Sequence, residues 1–122
     1  MTLNRIEQIA IPVHDMNRAT SFYQHILGLK YLFSTGNMTF LECSGIKIML
    51  ATPEKDDKAF LGSIIYFDVN DIHASYDELL NQNVELLSKP HVISESERSK
   101  TWMCFFKDSE GNTLSLMSKQ TK

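Results

Sequence analysis

The side chains that can do chemistry in this chain are few and scattered. There are four histidines, His14, His25, His73 and His91, and two cysteines, Cys43 and Cys104. The cysteines sit in no CxxC or Cys/His spacing, so they make no zinc set. Neither has an activating base nearby in sequence, which argues against a thiolate nucleophile. Glu7, Glu42 and Asp68 are not spaced as an acid/base pair. His14 precedes Asp15 and reads as a solvated loop residue, while His25 and His73 fall off the apolar stripes of their helices. His91 stands in Lys89-Pro-His-Val-Ile, where Pro90 fixes the backbone before it. It either lines a pocket or is a satisfied structural histidine. Trp102, the single tryptophan, offers a flat stacking wall if it faces a pocket and core packing if it does not.

Those groups are carried by a chain of 122 residues with 12 Lys+Arg against 15 Asp+Glu, a net charge of -3. A nucleic-acid binder normally carries a basic face, so none is expected here. The hydrophobic share of 43% and charged share of 22% are those of a globular domain. A chain of this length buries roughly 65% of its unfolded surface and needs no disulfide or structural metal. No apolar run reaches the roughly 20 residues of a membrane span. Met1-Thr-Leu-Asn-Arg-Ile-Glu has no signal-peptide core, and the two cysteines read as free thiols. The expected location is the cytoplasm.

The elements that must position these side chains follow from periodicity. Ile9, Ile11 and Val13 alternate with Gln8, Ala10 and Pro12, a strand with Pro12 near its end or at an unpaired edge. Asp15 is a helix N-cap, and Met16, Ala19, Tyr23, Ile26 and Leu27 form one apolar face of a helix over 15–27 that Gly28 closes. Short strands are expected at 31–33, 38–42 and 46–51. The order then recurs: a strand over 63–69, a helix over 71–82 capped by Asp71 and closed by Asn83, and strands at 84–87, 101–107 and 113–117.

The recurrence is an internal repeat. A shift of about 56 places Ile9 on Ile65, Val13 on Val69 and Asp15 on Asp71; one of about 66 places Phe40 on Phe106, Gly45 on Gly111 and Ile48 on Leu114. The extra residues of the second copy fall in 89–100, expected as a connection crossing an open side. The expected domain is a single one over 1–122, with module 1 at about 4–52, a linker at about 53–60 and module 2 at about 61–118. Each module is βαβββ. The fold class is α+β, the two modules forming a curved, cupped mixed sheet with the helices outside. A cup lined by alternate residues of several strands is a ready pocket.

Four segments carry a family resemblance: Gln8-Ile-Ala-Ile-Pro-Val-His-Asp, Phe22-Tyr-Gln-His-Ile-Leu-Gly-Leu, Ile65-Tyr-Phe-Asp-Val-Asn-Asp-Ile and Phe105-Phe-Lys-Asp-Ser-Glu-Gly-Asn. In this order and spacing the chain resembles the vicinal oxygen chelate superfamily, which includes glyoxalase I, extradiol dioxygenases, fosfomycin-resistance enzymes and bleomycin-resistance proteins. The resemblance implies four inward positions that hold a divalent ion in metal-using members. Carried over, they are Gln8, Met49, Ile64 and Ser115. A glutamine occupies the first position in some glyoxalases. Ile64 has no donor atom, Met49 is a soft thioether, and Ser115 stands where the family has a glutamate. Hard divalent ions want oxygen or imidazole donors, and at least three firm ligands. No metal and no cofactor are therefore expected.

Alternation adds Tyr66 to the same face as Ile64. Lys47 joins Met49's face, either holding an anion or solvated at the rim. The expected ligand-binding set is Gln8, Met49, Ile64, Tyr66, His91, Trp102 and Ser115. The expected function is binding of a small, largely apolar or aromatic molecule without a metal, as in the bleomycin-resistance branch. The alternative is a lyase, isomerase or dioxygenase with an atypical metal site or a metal-free mechanism through His91 or Tyr66. A homodimer is expected, partly by resemblance and partly from exposed sheet edges.

Overall fold

The computed structural model describes residues 1–54 and 62–122. The chain divides into two compact units, Met1–Ser63 and Ile64–Lys122. The expected linker over 53–60 lies mostly outside the described residues.

In the first unit, β1 (Gln8–Pro12) leads to α1 (Met16–Ser21), which passes into a π-helical turn (Phe22–Ile26). The chain then runs through β2 (Lys30–Thr35), β3 (Met38–Cys43) and β4 (Ile46–Ala51). The strand order is β1-β4-β3-β2, with β1 parallel to β4 and the other pairs antiparallel. The second unit repeats this with β5 (Ile65–Asp68), α2 (Ile72–Asn81), β6 (His91–Glu95), β7 (Ser99–Lys107) and β8 (Thr113–Thr121), in the order β5-β8-β7-β6. The mixed sheet expected from the repeat is thus two four-stranded mixed sheets, one in each unit.

The alternation in sequence becomes two faces in each sheet. Ile11, Val13, Leu41, Ile48 and Leu50 are buried and share their face with Ala19, Phe22 and Tyr23 of the helix. Cys104, Phe106, Leu114 and Leu116 are their counterparts against Ile72 and Leu79 of α2. The other face of each sheet, not covered by the unit's own helix, is called the open face below. Both caps form as their sequence signals require: Asp15 accepts the Arg18 N–H at 3.0 Å, and Asp71 that of Ala74 at 3.1 Å. Asn83, at φ 61, ends α2 in a Schellman turn, in which the Val84 N–H reaches the Leu79 carbonyl at 3.1 Å and that of Asn83 reaches Leu80 at 3.1 Å.

Three expectations change. The first helix is not one α-helix over 15–27, because the Leu27 N–H bonds five residues back to the Phe22 carbonyl at 3.0 Å. Widening that turn lets the consecutive Phe22 and Tyr23 both go inward, their rings meeting edge to face at 5.5 Å. Val84 to Leu87 is not a strand: it holds one isolated bridge, Leu86 to Phe106. Ser88 extends that pairing through its side chain, its Oγ accepting the Phe105 N–H at 3.0 Å. Pro90, with no N–H, follows. The edge strand instead occupies the stretch expected as a connection, at His91–Glu95, which is exposed along its whole length.

The third change is a one-residue difference between the copies. Ile9 pairs with Ile48 and Ile65 with Leu114, which agrees with the two shifts. However, Glu42 pairs with Lys47 whereas Lys107 pairs with Thr113, so the second turn is one residue longer. The buried Asp108 holds that longer turn, its Oδ1 accepting the Glu110 and Asn112 N–H groups at 2.8 Å and its Oδ2 the Asn112 side-chain amide at 2.8 Å. Phe40 therefore corresponds to Phe105 and not to Phe106.

The two thiols differ in environment. Cys43 is half-buried at the end of β3, while Cys104 is fully buried and burial pushes its thiol up. Titration of the folded protein with a disulfide reagent should release one equivalent quickly, with the second reacting only on unfolding. Cys43→Ser should abolish the fast phase, and a fast phase that survives it would contradict this burial.

Candidate functional site

The open face of the first unit is built by cross-strand rows. Gln8, Lys47, Glu42 and Lys30 stand opposite one another, and Ala10, Met49 and Phe40 form the next row. Phe33, opposite Phe40, stacks on it with ring centroids 4.7 Å apart and stays 48% exposed. The first row is ionic: Lys47 reaches Glu7 at 3.8 Å, and Arg5 also pairs with Glu7 at 2.6 Å. Lys47 is thus a rim lysine with a carboxylate partner. The second row is apolar and aromatic. Between the rows, the Gln8 amide Nε2 donates to the Met49 sulfur at 3.3 Å, so two expected site residues touch.

The open face of the second unit has a corresponding row of Tyr66, Ser115 and Phe105. The rings of Tyr66 and Phe105 meet edge to face at 5.9 Å across the serine between them, and Ser115 is fully buried. Its Oγ has the carbonyls of Cys104 at 3.0 Å and Leu116 at 3.1 Å as acceptors for its one proton, a hydroxyl satisfied by its own sheet. Ile64 lies just before β5 at 45% exposure, and Tyr66 keeps 46%. The next row is Asp68, Met117, Met103 and His91. His91 opens β6, and because a carbonyl only accepts, its Nδ1–H donates to the Lys89 carbonyl at 2.8 Å. At the far end of β6, Lys122 and then Lys100 hold the Glu95 carboxyl below its usual range.

The expectation for Trp102 is corrected. Trp102 shares its face with the buried Cys104 and Phe106, and its indole packs edge to face on His73 of α2 at 4.8 Å. It lies on the helix side and not on the open face. Ser115 does lie on the open face but beneath two rings, which removes it as a lining group. Phe33, Phe40, Met103 and Phe105 are open-face residues that the expected set omits. The signal for Phe105 was its alternation with the core residues Cys104 and Phe106, readable only with the longer turn in the register.

The positions that would hold a metal do not fit one. In the first unit they supply one amide, bonded to a thioether; in the second, an alkyl group and a buried serine whose proton is engaged. Divalent ions of this chemistry take several oxygens or imidazoles. Among the described residues, no group of three His, Cys, Asp or Glu side chains is placed to hold a metal ion. No helix among them is long and apolar enough to cross a membrane.

The fold has many solved counterparts. A superfamily member from Sphaerobacter thermophilus superposes with a TM-score of 0.79 at 19% identity, over 95% of this chain and 98% of that one. A lactoylglutathione lyase from Agrobacterium tumefaciens gives 0.76 at 15% identity, over 97% and 96%. An integron cassette protein of V. cholerae gives 0.74 at 21%, over 97% of each chain. At these identities the likeness is one of fold. No curated protein matches significantly. Residues 5–116 match the family model described as Glyoxalase/Bleomycin resistance protein/Dioxygenase superfamily, and with the two-unit fold they place the chain in that superfamily.

Proposed function

We propose that this protein is a cytoplasmic member of the superfamily that binds a small, largely apolar or aromatic molecule on its open sheet faces, without a metal. One observation carries the proposal: the four positions that correspond to metal ligands hold an amide, a thioether, an alkyl group and a buried hydroxyl, and the open faces around them carry half-exposed aromatic and alkyl side chains. Phe33, Ile64 and Tyr66 leave about half their surface to solvent. Large apolar side chains left in rows on a sheet face favour an apolar partner. Gln8, Met49, Ile64 and Tyr66 are the proposed contacts, with His91 at the margin of its row. The same apolar exposure and the bare edge of β6 support pairing of two copies.

Titration with flat bicyclic aromatics (indole, quinoline and 2-naphthol) should give saturable binding. Tyr66→Ser should weaken binding on the second unit's open face and Met49→Lys binding on the first unit's, each about tenfold, the loss expected from about 1.4 kcal/mol of buried apolar contact. Because Trp102 sits on the helix side, calorimetry is the better readout than its fluorescence. No binding by any of the three, or affinity unchanged from the parent protein in both variants, would reject the proposal.

The metal-free half has its own test. Purified protein should carry well under one equivalent of divalent metal. Added nickel, zinc, manganese or cobalt should not switch on isomerisation of a glutathione hemithioacetal. A stoichiometric metal that Gln8→Ala releases would overturn this half alone. Sedimentation at micromolar concentration should show a dimer, and a monomer there would remove the pairing.

A further inference from the structure

A concavity lies in the first unit, on the helix side of its sheet and away from the open face. It is a groove of about 560 Å³ between the first helix and the β2–β3 hairpin. The helix contributes Asn17, Thr20 and Gln24, and the hairpin contributes Tyr31, Ser34 and Thr39. Met16 and Met38 supply apolar surface, and no Lys, Arg, Asp or Glu lines it. Helix residues at 16, 20 and 24 would drift round a plain α-helix. The wider π turn from Phe22 slows that drift and keeps Gln24 and His25 on the groove side.

The floor of the groove is a chain of hydroxyls. The Tyr31 hydroxyl lies 2.8 Å from Ser34 Oγ, which lies 3.0 Å from Thr39 Oγ1, to which Thr20 Oγ1 donates at 3.3 Å. Thr39 is buried, which anchors the chain, while Tyr31 is 40% exposed and ends it at the opening. Hydroxyl hydrogens rotate. In one proton order the Tyr31 hydrogen is left to donate outward; in the other the Tyr31 oxygen accepts. Such a chain matches a partner that is donor and acceptor at once, which is the property of an alcohol.

The second unit shows what closing this space takes. By the register, His73 stands where the first unit has Asn17, and Trp102 where it has Asn37. Their rings pack at 4.8 Å. The first unit has two small amides in place of that ring pair, and the groove is open beside them.

We propose that this groove binds a neutral, polyhydroxylated small molecule, a mono- or disaccharide or an acyclic polyol, through the Tyr31–Ser34–Thr39–Thr20 hydroxyl chain. The lining sets the class: it carries no Lys, Arg, Asp or Glu to pair with an ion, and His25 is its one imidazole, so the hydroxyls and amides favour a neutral ligand. The Tyr31 ring offers a flat face for the C–H side of such a ligand.

The test is an amide-resolved NMR titration of the full chain with glucose, maltose, sorbitol and, as the charged comparison, glucose 6-phosphate. At least one neutral probe should give saturable shifts at Thr20, Ser34 and Thr39 within tens of millimolar, leaving β8 unmoved. Ser34→Ala should weaken binding about fivefold, the effect of one neutral hydrogen bond. Ser34 is exposed, so this variant should keep the native spectrum; Thr20→Val is the second, shape-conserving variant. No shift at these residues with any neutral probe overturns the proposal, as does unchanged affinity in both variants or equal binding of glucose 6-phosphate. Indole binding on the open face, present or absent, does not bear on this result.

Discussion

The parallel pairing of the first and last strand in each unit sets most of this structure. Ile9 stands opposite Ile48, and Ile65 opposite Leu114. Side chains alternate along a strand, so this one registration decides for four strands which residues face a helix. It sends Ile11, Val13, Ile48 and Leu50 inward in one unit and Leu114 and Leu116 in the other. A slip of one residue would drive Gln8 and Lys47 under the helix. Each buried, unpaired polar group would cost about 1–3 kcal/mol. The caps depend on the same choice, because Asp15 and Asp71 follow the inward Val13 and Val69 by two residues and start each helix back over its sheet.

What could be read from the sequence follows from how local its cause is. The β1 and β5 alternation, both N-caps and the Asn83 stop are written within a few neighbouring residues, and the repeat supplied the parallel register. The antiparallel register of β7 on β8 is set by turn length, and one extra residue in the turn held by Asp108 is invisible without the pairing. That residue exchanges the faces of β7 and turns Trp102 to the helix side, whereas a shift of 66 alone predicts the open face. β6 gave no signal because an exposed edge strand buries no alternate residues. The groove hydroxyls, at 20, 31, 34 and 39, follow no period; they meet only because a helix and a hairpin are brought together by the core beneath them.

The two copies have diverged where packing leaves freedom and not where it does not. On the paired first and last strands the helix-side positions remain apolar in both, Ile48 and Leu50 in one unit and Leu114 and Leu116 in the other, since each must fill a close-packed layer. Off that layer, Ala10 corresponds to Tyr66, Met49 to Ser115 and Asn17 to His73. Large and small trade places between copies. The second unit closes its helix side with Trp102 on His73, while the first is open there. On the other face, the first unit stacks Phe33 on Phe40, while the second brings Tyr66 to Phe105 over a serine. Duplication supplied one scaffold twice, and each copy uses its faces differently.

Ser115, at the position that the family resemblance assigns to a metal ligand, is a packing position. Beneath the Tyr66 and Phe105 rings, water is excluded. A carboxylate there would lose its hydration and meet no cation, because the neighbouring position is the alkyl chain of Ile64. An unpaired buried charge of this kind costs far more than a buried hydroxyl that finds its own acceptors. Serine meets the constraint with backbone carbonyls 3.0 and 3.1 Å away as acceptors for its one proton. The rings that bury it are the same ones that give the face its apolar character. A single reversion to glutamate would therefore not recreate a metal centre: it would place a charge under two aromatic rings, with the other donors still missing. The buried, satisfied serine and the two rings beside it are parts of one packing solution.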